Sequence, residues 1–220
     1  MSTSRLRRIR PDRPSSVETP APPADVVRLS TAQRARRETI LKVAIELLSQ
    51  RDYEQIQVRE IAEAAGVALA TLYRYFPSKE QLYAHAFVAW GEPFEALVRA
   101  NRDQARTDEA RLQAAVRCSL RAYEKNPRLC RLITSLEVGA DKVAADLMRG
   151  FGERYRQILA GVLQDTDPED AQRVALMVVG ALDILMRKWG CGDIALRRFM
   201  DEIEKTVALV FRQPRARERD

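Results

Sequence analysis

The segment from Val58 to Lys79, VREIAEAAGVALATLYRYFPSK, decides the fold. Val58, Ile61, Ala62 and Ala65 recur at i, i+3, i+4 and i+7, the spacing that gives a helix of about two turns one apolar face. Gly66 follows the last of them, and glycine can take the left-handed conformation that closes a helix without a Cβ penalty. A second helix is predicted from about Leu69 to Phe76. At about 100° per residue, Leu69, Leu72 and Phe76 share a stripe, while Ala70, Thr71, Tyr73 and Arg74 point away from it. That outward set mixes a small residue, a hydroxyl, a phenol and a guanidinium, which can meet phosphate oxygens, a guanine edge or a thymine methyl. The reading is a helix-turn-helix with a recognition helix, and a plain αα-hairpin is the structural alternative.

The continuation favours the first reading. Pro77 stops the second helix, and Ser78 with Gln81 three residues later forms a capping-box pattern that opens another helix at once. Lys79 falls in its first turn, where free N–H groups and an ammonium suit a phosphate.

The run from Gly66 to Leu82, GVALATLYRYFPSKEQL, resembles the DNA-binding signature of TetR-family transcriptional regulators. With a preceding helix from about Gln33 to Gln50, the resemblance covers roughly residues 33 to 82. It implies a homodimer on a palindromic operator, usually a repressor released by a small ligand. It also implies DNA contacts from Leu69, Ala70, Thr71, Tyr73, Tyr75 and Lys79. Two departures from the pattern matter. Ala68 stands where a hydroxyl residue often caps the recognition helix, and Leu69 and Ala70 cannot donate hydrogen bonds to bases. Base reading therefore leans on Thr71, Arg74, methyl contacts and DNA shape. The run Thr71 to Lys79, followed later by Asn126-Pro127, is similar to actinobacterial regulators of sterol and lipid catabolism, which implies a steroid or acyl-CoA inducer.

Composition bounds the rest. A chain of 220 residues, 46% apolar and 31% charged, can bury a sizeable core as one or two domains. The longest apolar run, Val174 to Met186, is too short to span a bilayer and contains Asp183, and the N-terminus lacks the apolar core of an export signal. A cytoplasmic protein is expected. Cys118, Cys130 and Cys191 fit neither a disulfide framework nor a zinc site, and read as small buried hydrophobes. No metal or cofactor is expected. Residues 1–37 hold nine arginines against three acids, so the whole net charge of +6 lies there and the body is balanced. A broad basic surface for nonspecific DNA binding is thus missing, although an architectural DNA binder stays the alternative reading. An enzyme is disfavoured, because no phosphate loop or nucleophile motif is present and there is a single histidine.

The fold class expected is all-α. Residues 1–30 form a basic, Pro-rich tail, either solubilising or tracking DNA phosphates. Residues 31–78 form the helix-turn-helix domain, 79–212 a helical ligand-binding and dimerisation domain, and 213–220 a charged tail. Arg34, Arg36 and Arg37 begin the first helix against its dipole, which suits either an accompanying DNA backbone or a solvated cluster. From Ser78 a helix runs to about Ala100 with Tyr83, Phe87, Trp90 and Phe94 in one stripe, either plain core or a ligand wall, and Pro93 should kink or interrupt it. Further helices are expected over about 107–125, 127–138, 141–163, 168–189 and 193–211. The pocket assigned from them comprises Phe87, Trp90, Phe94, Tyr123, Met148, Phe151, Tyr155 and Met177, suited to a bulky apolar ligand. The last two helices are assigned the dimer interface, through Val178, Ala181, Leu182, Leu185, Phe199, Ile203 and Val207. Asp183 is expected to pair with Arg187 one turn later. The expected partners are operator DNA, an apolar effector and a second copy of the chain.

Overall fold

A computed structural model describes residues 29–101, 105–137 and 139–212. Residues 1–28 of the N-terminal tail and the last eight residues, to which roles were assigned above, lie outside the described residues. The described residues divide into two units, one ending at Ala35 and the other beginning at Arg36. In the first, Ser30 and Gln33 make a reciprocal capping box: the Gln33 N–H donates to Ser30 Oγ at 3.3 Å and the Ser30 N–H to Gln33 Oε1 at 2.8 Å. This box starts helix α1, Thr31–Gln50, two residues ahead of the expected start.

All regular structure among the described residues is helical. After α1 and a 3-10 turn at Tyr53–Gln55 come α2 (Val58–Ala64), α3 (Leu69–Tyr75), α4 (Lys79–Asn101), α5 (Asp108–Lys125), α6 (Pro127–Glu137), α7 (Lys142–Gly161), α8 (Pro168–Gly190) and α9 (Leu196–Val210). Among the described residues, no helix is long and apolar enough to cross a membrane.

Local chemistry explains most of the boundaries. Gly66 has φ +66°, its N–H donates to the Glu63 carbonyl at 3.1 Å, and the next N–H, of Val67, reaches back to Ala62 at 3.0 Å. These two bonds satisfy carbonyls that the end of α2 leaves open. Gly192, with φ +83°, closes α8 in the same way, the Asp193 N–H donating to Lys188 at 2.8 Å. This closing turn delays α9 to Leu196, three residues later than expected. Side-chain caps begin α5 (Thr107), α7 (Asp141) and α8 (Asp167, with Pro168 at the first position). Helix α4 runs through Pro93 without interruption.

Two apolar cores hold the second unit together. One gathers Ile40, Leu41, Ala44 and Leu48 of α1, Ile61 of α2, Leu72 and Phe76 of the recognition segment and Phe87 of α4, and continues into Leu129, Leu132, Leu136 and Met148. The other packs α5, α7, α8 and α9 around Leu112, Leu120, Leu159, Ala175, Phe199 and Ile203. This second core takes in the residues assigned to the dimer interface. Val178, Leu182, Phe199, Ile203 and Val207 are buried inside a single chain, and Ala181 and Leu185 are half-buried against them. The apolar surface left uncovered on α8 is the other side of the helix: Leu176, Met177 and Ile184, each more than half exposed. Periodicity had shown an α8 apolar nearly all round, but it could not say which side the chain keeps for itself. Asp183 does meet Arg187, at 2.6 Å. Cys191 is exposed rather than buried, and Cys118 is half-buried.

Candidate nucleic-acid interface and ligand cavity

Helix α3 is held from beneath and open above. Leu72 and the capping Phe76 are fully buried, and the Phe76 ring is flanked by the Arg37 guanidinium at 5.2 Å and the His85 ring at 5.6 Å. Burial, with Arg37 nearby, lowers the His85 pKa to about 4, so this imidazole is neutral at ordinary pH. Ala70 and Arg74 are exposed, as are Leu69 (38%) and Tyr73 (43%), so the surface of α3 is a compact strip of mixed chemistry.

Leu69, Thr71, Tyr75 and Lys79 each sit differently from one reading made of them. Leu69, read from periodicity as inward, is exposed at the first turn of α3, whereas Thr71, read as outward, is half-buried. Tyr75 is half-buried, and its hydroxyl is enclosed without a hydrogen-bond partner among the described residues. Lys79 is engaged internally: its ammonium donates to the Tyr53 carbonyl at 2.5 Å and lies 4.1 Å from the centre of the Tyr53 ring. Burial lowers its pKa. Arg37 is half-buried against Phe76, and Arg36 is exposed. Arg34 belongs to the first unit, where its Nε donates to the Leu29 carbonyl at 3.1 Å.

Two polar junctions tie the segment around α3 to the helices that follow. The expected capping box at Ser78 forms by half. Ser78 Oγ accepts from the Gln81 N–H at 3.0 Å, but it donates to Asp141 Oδ2 at 2.6 Å, and the Gln81 amide also donates to Asp141, at 3.0 Å. Asp141 at the same time caps α7 by accepting from the Ala144 N–H at 3.0 Å. The Ser78 hydrogen bond, with those from Ala144 and Gln81, lowers the pKa of this carboxyl. In the second junction, Asp52 accepts from Arg128 at 3.2 Å and Arg131 at 2.5 Å, and Arg128 also donates to the Ser49 carbonyl at 2.8 Å.

Between α4, α5 and α7 lies a cavity of about 20 Å³, room for roughly one water. Trp90, Tyr123, Phe151 and Tyr155, four of the eight assigned residues, line it. Phe87 and Met148 are fully buried behind it, Phe87 packing edge-on against Phe151 with ring centres 4.9 Å apart. Met177 is 59% exposed on the outer face of α8 and does not belong to the cavity. The Phe94 side chain lies outside the described residues. Gly91, Glu95, Ser119 and Ala122 complete the lining and were not foreseen. A signal was available for two of them. Gly91 and Glu95 follow Phe87 at i+4 and i+8, and so share its face. Ser119 interrupts the apolar face of α5 and is buried; its hydroxyl donates to the Ala115 carbonyl at 3.2 Å and accepts from Tyr155 at 2.8 Å. Burial raises the Tyr155 pKa to about 12 against the pull of that bond. Glu95 pairs with Arg154 at 3.2 Å.

One chain thus carries a small exposed strip on a firmly seated helix and a small aromatic cavity between α4, α5 and α7, and similarity to known proteins gives its family. The profile described as "Bacterial regulatory proteins, tetR family" matches residues 40–86. The chain is 32% identical over 188 residues to the HTH-type transcriptional repressor KstR of Rhodococcus jostii (strain RHA1), covering 83% of this chain and 85% of that protein. The chain belongs to the TetR family. Solved TetR-family structures share the fold. A TetR transcriptional regulator from Rhodococcus sp. RHA1 superposes with a TM-score of 0.68 at 23% identity, over 82% of this chain and 97% of the other. The repressor FadR of Thermus thermophilus, solved in complex with lauroyl-CoA, does so with a TM-score of 0.64 at 20% identity, over 84% and 99%. The TetR-family assignment makes this chain a DNA-binding transcriptional regulator of the helix-turn-helix type.

Proposed function

We propose that this chain is a homodimeric repressor that leaves a palindromic operator when an apolar small molecule enters the cavity between α4, α5 and α7. The observation that carries the reading is the open strip on α3: a helix anchored by Leu72 and Phe76 leaves Leu69, Ala70, Tyr73 and Arg74 exposed among the described residues. Arg74 supplies the fork that suits a guanine edge or a phosphate, Tyr73 a phosphate donor, and Leu69 and Ala70 apolar contacts to thymine methyls. The outer face of α8, with Leu176, Met177 and Ile184, pairs with its copy across a two-fold axis and sets the recognition helices about one DNA turn, roughly 34 Å, apart.

The effector is an apolar molecule of the steroid or acyl-CoA class. The aromatic lining favours such a body, the Tyr155–Ser119 and Glu95–Arg154 pairs offer it polar anchors, and a fold neighbour carries lauroyl-CoA. The test is to recover fragments from sheared genomic DNA of the source, identify a shared palindrome, and measure its affinity with and without lauroyl-CoA or a steroid panel. A few fragments sharing a palindrome, released by one of these classes, is the expected result. Uniform recovery across the genome would refute the specific regulator, and effectors that bind without weakening the DNA complex would refute release.

A further inference from the structure

The cavity is far smaller than an effector of the proposed class requires. A drug-sized ligand occupies roughly 300–1,000 Å³, against about 20 Å³ here. Some wall must therefore move, and the walls are not equally free to do so. Tyr155 is bonded to Ser119, and Glu95 to Arg154. The Phe151 ring, in contrast, is held only by packing, edge-on to Phe87 and with the Arg154 guanidinium 5.6 Å from its centre.

The seat of that ring is unusual. A Cβ built on Gly91 would lie 2.4 Å from Phe151 Cε2 and 2.9 Å from Cζ, so any side chain at position 91 excludes the ring from where it sits. Gly91 is inside α4, where glycine costs roughly 1 kcal/mol relative to alanine. Phe151 is on α7, and the residue that caps α7 is Asp141, the acceptor of Ser78 and Gln81 at the start of α4. Only Phe76 and Pro77 separate that junction from the end of the recognition helix.

Resting on the reading of this cavity as the effector site, we propose that the Phe151 ring is a displaceable plug seated on Gly91. The effector takes the ring's place against the α4 backbone, and the displaced ring shifts α7 so that Asp141 carries Ser78, Gln81 and the recognition helix out of register with DNA. Glycine at position 91 is what allows the shut, DNA-binding arrangement.

Gly91→Ala tests the plug without a ligand. The full-length variant is compared with wild type for helical content by circular dichroism, for fluorescence of 1-anilinonaphthalene-8-sulfonate, and for affinity toward the genomic fragment that wild type retains most tightly. The expected variant stays helical, brightens the dye and binds the fragment about 5- to 150-fold more weakly, the usual range of allosteric coupling. Adding Phe151→Ala removes the clash and recovers most of that affinity while keeping the dye bright. Wild-type affinity in Gly91→Ala, or no recovery in the double variant, overturns the proposal. Should Gly91→Ala fail to fold, Phe151→Ala alone decides: unplugging must brighten the dye, and unchanged fluorescence overturns the plug. If wild type retains no fragment, the regulator reading falls, and the dye measurements still judge the plug.

Discussion

The helix-turn-helix and the aromatic cavity between α4, α5 and α7 are packed in opposite ways. Around α3 the interior is solid, with Ile40, Ile61, Leu72 and Phe76 fully buried, and Tyr73 is set outside on the surface. Around the cavity, Trp90, Tyr123, Phe151 and Tyr155 face inward on a space that holds no more than about one water. A solid interior fixes one geometry, which suits a surface that must match DNA. A shell with a small void and few polar ties can rearrange at low cost, which suits a site that must admit a ligand.

The sharpest way to break this comparison is to shorten a side chain beneath the reading strip. Leu72 is fully buried, and its neighbours pack to it on every side, so Leu72→Ala should cost about 2–5 kcal/mol by lost burial and the cavity left behind. Thermal or urea unfolding measures it. A cost below 1 kcal/mol would mean that the interior under α3 is as yielding as the cavity, and the contrast would be gone.

Acid should separate the two regions as well. The His85 pKa is lowered from 6.5 to about 4, first by burial and then by Arg37. The folded chain therefore binds fewer protons at this site than the unfolded chain between those values, and stability falls as pH drops through that window. Each pH unit inside it costs up to about 1.4 kcal/mol. His85→Gln should flatten this part of the stability profile, and an unaltered slope between pH 6.5 and 4 would show that His85 is not its source. The cavity contributes nothing there through Tyr155, whose pKa is raised to about 12.

On the reading strip itself, Arg74 is exposed and its guanidinium lies 5.9 Å from the Tyr75 ring centre, so its removal should leave folding nearly untouched. Arg74→Ala should weaken binding to a recovered fragment by about 1–3 kcal/mol if the fork reads a base, with relaxed preference at one position of the palindrome. A uniform loss across sequences, with a shallower salt dependence, would assign Arg74 to a phosphate instead.

How much of this was legible in the sequence follows the range of the interactions. The recognition segment depends on contacts within a few residues, so the period of Leu72 and Phe76 and the closing turn at Gly66 identified it directly. The boundary errors were local too: the Ser30–Gln33 capping box is a readable pattern that moves the start of α1, and the closing turn at Gly192 delays α9. The cavity is another matter. Its Ser119–Tyr155 bond joins residues 36 apart and its Gly91–Phe151 contact joins α4 to α7, neither visible in any window of one helix. The same limit applies to the residues assigned to the dimer interface. Val178 and Leu182 belong to the apolar run of α8 as much as Leu176 and Met177 do, and only the packing of α5, α7 and α9 shows which side remains uncovered.

The smallest expected effect probes the cavity wall, through the asymmetry of one hydrogen bond. Tyr155 donates to Ser119, while Ser119 itself donates to the Ala115 carbonyl. Tyr155→Phe removes a donor and leaves the serine hydroxyl still bonded, so it should cost only about 0.5–1.5 kcal/mol. Ser119→Ala instead strands the buried tyrosine hydroxyl, whose desolvation is then uncompensated, and about 1–3 kcal/mol is expected. Urea unfolding of the two variants compares them directly. If Ser119→Ala is no worse than Tyr155→Phe, the stranded hydroxyl has found water in the enlarged space, and the cavity is wetter and more open than its 20 Å³ implies. If the serine change is the worse by about 1 kcal/mol, the wall is dry and closed, as a chamber waiting for an apolar occupant has to be.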